Sequence, residues 1–132
     1  MGISIEPKEW TKIRIIVAFE AEYYAYQGTL AATIRILRPD AEVVAAELER
    51  IDEVVKRFGP DIVIGSPFKD ADLDGVRAWV ELSLDPAQLT KVNVDGKYSE
   101  MFNPTLDKLL VIIEKVAQLT QTSDPCDSQR LT

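Results

Sequence analysis

The sequence predicts a single α/β domain, three layers deep, on a mainly parallel sheet. Two short apolar runs rich in β-branched residues, 13–17 (IRIIV) and 61–64 (DIVI), read as strands buried on both faces. The segments between them carry apolar residues at helical spacing. Their connections are short, which calls for right-handed parallel crossovers.

The first strand is 13–17 and the first helix 21–37, where Tyr23, Tyr26, Leu30, Ile34 and Leu37 recur at spacings of three and four. Pro39-Asp40 stops that helix, and Glu42–Ala46 forms the second strand. The second helix, 48–58, turns Leu48, Ile51, Val55 and Phe58 inward and ends at the breaker pair Gly59-Pro60. After the third strand the pattern changes. Residues 67–75 are polar, acidic and too interrupted for a full third helix, which is expected to be shortened or lost. Residues 78–84 alternate like a half-exposed strand, and Asp95-Gly96 marks a β-hairpin between strands 91–94 and 97–101. The last helix begins at Asn103-Pro104, with Asn103 as its cap and Pro104 in the first helical position.

Leu106, Leu109, Leu110, Ile113, Val116 and Ala117 form one face of that helix, and Val111 and Ile112 are expected to fall outside it. A helix apolar around its circumference is either deeply buried or shared with a partner. Val111 and Ile112 are therefore candidate interface residues, and a homodimer is a candidate state. The predicted organisation is an N-terminal extension (1–11), the α/β domain (12–120) and a flexible polar tail (121–132).

Composition narrows the chemistry. The chain of 132 residues contains no histidine, which removes Ser-His and Cys-His nucleophile pairs and histidine-based zinc sites. The lone cysteine, Cys126, stands between Asp124 and Asp127, where nothing lowers its pKa. A net charge of −7 argues against nucleic acid, which needs a basic stripe. No apolar run long enough to span a membrane occurs, and the N-terminus lacks the basic segment and apolar core of a signal peptide, so a cytoplasmic location is expected.

Ile15–Glu20, Pro60–Ser66 and Asn103–Leu110 carry the best local matches to a known family. Over roughly residues 12–120 the order of elements resembles the receiver domain of bacterial two-component signalling, the CheY-like, flavodoxin-like fold. Such domains bind Mg²⁺ through an acidic pair after the first strand and accept a phosphoryl group on an Asp ending the third. They also use a Ser or Thr after the fourth strand and a Lys-Pro pair after the fifth. Carried onto this chain, the acidic pair falls on Ala18 and Phe19, leaving Glu20. The phosphoacceptor falls on Ser66 or Gly65, the Ser/Thr place on Ser83, and the Lys-Pro place on Asn103 and Pro104. The resemblance thus implies a degenerate receiver, not phosphorylated on Asp. Such a domain is no enzyme, needs no cofactor and acts through contact with a protein partner. The residues agree, because one Glu beside Phe19 is a poor octahedral cage for Mg²⁺ and a serine without an adjacent base is a weak nucleophile.

A flavin or nucleotide is also disfavoured. Phe19, Glu20, Ala21 and Glu22 follow the first strand, and two acids at a helix start repel phosphate. The alternative from another class is a small Ca²⁺-binding or ligand-binding domain. Asp70, Asp72 and Asp74, then Gly75 and Glu81, fit the pattern D-x-D-x-D-G-x₅-E of a calcium loop. A strand over 78–84 would project Glu81 by two-residue alternation, which favours a solvated acidic turn. Lastly, Phe19, Tyr24 and Trp79 are candidates for an aromatic surface near the vacated acidic pocket, with Tyr24 and Trp79 as interface residues.

Overall fold

The computed structural model describes residues 13–66, 75–83, 85, 87–102 and 104–122. The expected N-terminal extension, most of the expected tail with Cys126, the cap Asn103 and the carboxylates Asp70, Asp72 and Asp74 lie outside the described residues. The strands are β1 (Arg14–Ala18), β2 (Glu42–Ala45), β3 (Ile62–Gly65), β4 (Ala78–Glu81), β5 (Leu89–Val94) and β6 (Lys97–Phe102). The helices are α1 (Tyr24–Leu37), α2 (Ile51–Phe58) and α3 (Leu106–Thr122). One six-stranded sheet runs in the order β2-β1-β3-β4-β5-β6. The pairings among β2, β1, β3 and β4 are parallel; β5 and β6 then run antiparallel. β5 and β6 form the expected hairpin, whose turn residues Asp95 and Gly96 both have positive φ (53° and 86°), as a tight I′ turn requires.

Alternation along the central strands sorts side chains into two cores. Ile15 and Val17 of β1, with Ile62 and Ile64 of β3, face α1 and α3. Ile16, Ala18 and Val63 face α2, against Ile51 and Val55. That gives three layers, with β1 and β3 buried on both faces as their sequences demand. Between β3 and β4 no helix lies among the described residues. Nor is any described helix long and apolar enough to cross a membrane.

Three expectations are corrected. The inner stripe of α1 is Gln27, Leu30, Ala31 and Ile34, whereas Tyr26 and Leu37 are exposed. The cause is polar: the Phe19 N–H donates to Gln27 Oε1 at 2.6 Å, drawing that side chain inward to satisfy the end of β1. On α3, the Lys108 N–H donates to Thr105 Oγ1 (3.3 Å) and to the Thr105 carbonyl (3.0 Å), so Thr105 does the capping and the helix begins at Leu106. Ile112 is not off the face. Leu109, Ile112, Ile113, Val116 and Ala117 follow one helical stripe, and Ile112 is only 8% exposed within the core, while Val111 is 62% exposed.

The end of α1 is tied to α3 through Arg38. Its guanidinium donates to both oxygens of Asp40 at 3.1 Å and reaches Glu114 on α3. The Arg38 hydrogen bonds hold the Asp40 carboxyl below its ordinary range, against a smaller opposing effect of burial. The sign follows directly. Because the folded state lowers this pKa, the pair contributes stability above the unfolded pKa of about 4, and the contribution is lost as pH falls through the folded value. Asp40→Asn is expected to cost at most about 1 kcal/mol near neutrality, since the carboxylate is half-exposed, and to cost nothing at a pH below both pKa values. Urea melts of both proteins across the acid range check this.

Candidate functional site

The carboxyl ends of parallel strands are where an open α/β sheet places its ligands. Here β1 runs out through Ala18 into Phe19, both fully buried. The Phe19 ring meets Tyr26 edge-on, with centroids 5.4 Å apart and planes at 82°. Gly65 ends β3 directly against β1, and a Cβ on it would lie 1.7 Å from the Ala18 carbonyl oxygen. Only glycine permits that approach. The next residue closes the corner: the Ser66 N–H donates to Ala18 O at 3.1 Å, and Ser66 Oγ accepts the Glu20 N–H at 3.0 Å. Ser66 is 2% exposed, with its oxygen tying the loop after β1 to the end of β3.

Beyond β4 the chain is held in the same manner. Leu82 N–H donates to Gly65 O at 2.7 Å, and Ser83 N–H donates to the buried Thr90 Oγ1 at 2.9 Å. The Ser83 hydroxyl donates to Asp85 O (3.1 Å) and accepts the Asp85 N–H (3.2 Å). Among these ends lies a cleft of about 220 Å³, lined in part by Glu20, Tyr23, Ser66, Glu81, Ser83 and Lys91. It is smaller than the roughly 300–1,000 Å³ of a typical small-molecule site. Glu81 stands opposite Lys91 in the β4–β5 register. The Tyr23 hydroxyl is pushed above its ordinary range, first by its hydrogen bond to Glu22 and that group's charge, then by burial, Glu20 and Asp85. It therefore stays neutral near pH 7 and offers no base.

Ala18, Phe19, Glu20, Ser66 and Ser83 are thus gathered at one end of the sheet. Their hydroxyls serve the backbone and their apolar members fill the core, so the corner is built for shape. Asn103 and three of the four calcium-loop acids lie outside the described residues, and Glu81 sits in β4, half-buried. Among the described residues, no cluster of His, Cys, Asp or Glu is arranged to hold a metal ion. The expected aromatic surface does not assemble. Phe19 belongs to the core under α1 and α3, whereas Trp79 packs on the opposite face and pairs with Tyr98 at 6.5 Å. Tyr24 is exposed at the start of α1, whereas the Phe19 ring is fully buried.

Two residues that position this end were not singled out from the sequence: Gln27 and Thr90. Each carried a signal. Gln27 stands in helical register with Leu30, Ala31 and Ile34, and Thr90 alternates in phase with Val92. A polar residue on a buried face needs a hydrogen-bond partner, and both are bonded to backbone N–H groups here. The chain is thus a three-layer α/β domain with a mixed, mostly parallel sheet and a closed corner at its switch point. No family model, curated protein or solved structure matches it.

Proposed function

We propose that this protein is a non-catalytic, receiver-like domain that works by protein–protein contact in bacterial signalling or regulation and is not phosphorylated on an aspartate. The supporting observation is the filled corner. Where a receiver would hold its acids and accept phosphate, Phe19 is fully buried against Tyr26 and Ser66 Oγ is committed to the Glu20 N–H. A hydroxyl 2% exposed and already used as an acceptor is poorly placed to attack phosphorus. The first four strands, in order β2-β1-β3-β4, suit the receiver-like reading, and the antiparallel β5–β6 hairpin is where this chain departs from it.

The test is incubation with acetyl phosphate and Mg²⁺ followed by intact-mass measurement. No mass gain is expected. An acid-labile increase of one phosphoryl group on the folded protein would overturn this reading.

A further inference from the structure

We propose that the groove between β6 and α3 docks an extended segment of a partner protein, rich in acidic and apolar residues, by strand addition to β6. The proposal rests on the protein-contact reading above and gives that contact a surface and a chemistry. Among the described residues β6 lies at the edge of the sheet and pairs only with β5. The two-residue turn makes Val94 and Lys97 the closing pair of the hairpin, so Lys97, Ser99 and Met101 direct their backbone groups to β5. Tyr98, Glu100 and Phe102 direct theirs outward. An added strand would find donors and acceptors at alternate residues along six residues of edge that contain no proline.

Beside that edge lies a groove of about 650 Å³, several times the size of the cleft at the strand ends. Val94, Met101 and Ile112 contribute its apolar lining, and Val111 of α3 borders it with 62% of its surface exposed. Its charge is opposite to that of the whole molecule. Among the described residues Lys97, Lys108 and Lys115 line it against one acid, Asp95, in a chain of net charge −7. Among the described residues none of these three lysines is held in an ion pair. An apolar trough rimmed by ammonium groups selects a ligand with carboxylates beside large apolar side chains. On the other face of β6, Tyr98 and Phe102 are 53% and 64% exposed, ready to receive the side chains that alternate away from the groove. A second copy fits less well, because two β6 edges paired about a two-fold axis would set the lysine rims of both copies side by side.

The test begins with selection from a random peptide library displayed on phage, against the immobilised full chain. The enriched peptide, labelled with fluorescein, is then titrated by anisotropy. Acidic residues alternating with apolar ones are expected. Lys108→Glu/Lys115→Glu, both at exposed positions and checked for folding by circular dichroism, should weaken binding by about tenfold or more. N-methylation of the peptide should abolish binding at one parity of amides and spare the other, because an added strand turns alternate N–H groups to its neighbour. The proposal is overturned by no enrichment, by selected peptides lacking acids, by indifference to the double variant, or by equal sensitivity at both parities. A concentration-dependent dimer in sedimentation that the double variant alters would give the groove to a second copy instead. Phosphate uptake, measured separately, decides the wider reading, so the two fail independently.

Discussion

Gly65→Ala is expected to remove a large part of the protein's stability. The new methyl carbon would lie 1.7 Å from a backbone oxygen of the neighbouring strand, where no rotamer change relieves it. Relief requires β1 and β3 to separate at a point where Ala18 and Gly65 are in register and Ser66 is bonded to Ala18. A cost of about 4 kcal/mol or more is expected, against a total stability of about 5–15 kcal/mol for an ordinary domain. Gly28→Ala is the matching control. Gly28 lies within α1 with nothing within 4 Å of the added carbon, so the same substitution should stabilise by about 0.5–1 kcal/mol. Urea melts followed by far-ultraviolet circular dichroism measure both. A Gly65→Ala protein with a native midpoint would mean that the strand ends are not packed as described.

Phe19→Ala is expected to cost about 3–5 kcal/mol, the usual consequence of emptying a large aromatic site in a core. Phe19 is fully buried, and its removal also deprives Tyr26 of its edge-on partner. Phe19→Leu should recover most of the loss, since it refills the volume without the ring. A loss below about 1 kcal/mol in the alanine variant would be inconsistent with closed packing at this corner. Phe19→Asp should be worse than alanine because it buries an unpaired charge.

The central strands were legible because burial on both faces leaves an unmistakable run, as in Ile15-Ile16-Val17 and Ile62-Val63-Ile64. The hairpin was legible because Asp95-Gly96 is nearly a requirement of its turn type. The face of α1 differs from its apolar spacing for a physical reason. Apolar letters predict where oil goes, but the open N–H at the end of β1 decided the rotation by calling in Gln27. Ile112 packs inside because the stripe of α3 that meets the sheet is wider than the face its apolar spacing suggests. At the corner, the residue types were readable, but their closure was not. It depends on Ser66 meeting the Glu20 N–H across 46 positions of chain, and on a glycine required by a distant carbonyl.

The reversal of direction at β4 also sets an order in time. β5 and β6 are neighbours in sequence joined by a tight turn, so they close locally, on the scale of about 1–10 μs for a hairpin. β1, β2 and β3 pair only after whole crossovers have been looped out, and that loop entropy must be met before any contact rewards it. The sheet therefore grows from two ends at different speeds. β4, parallel to β3 on one side and antiparallel to β5 on the other, is the strand on which they meet. Until it is seated, the early hairpin has two unpaired edges, of which the β6 side alone stays open among the described strands of the finished sheet.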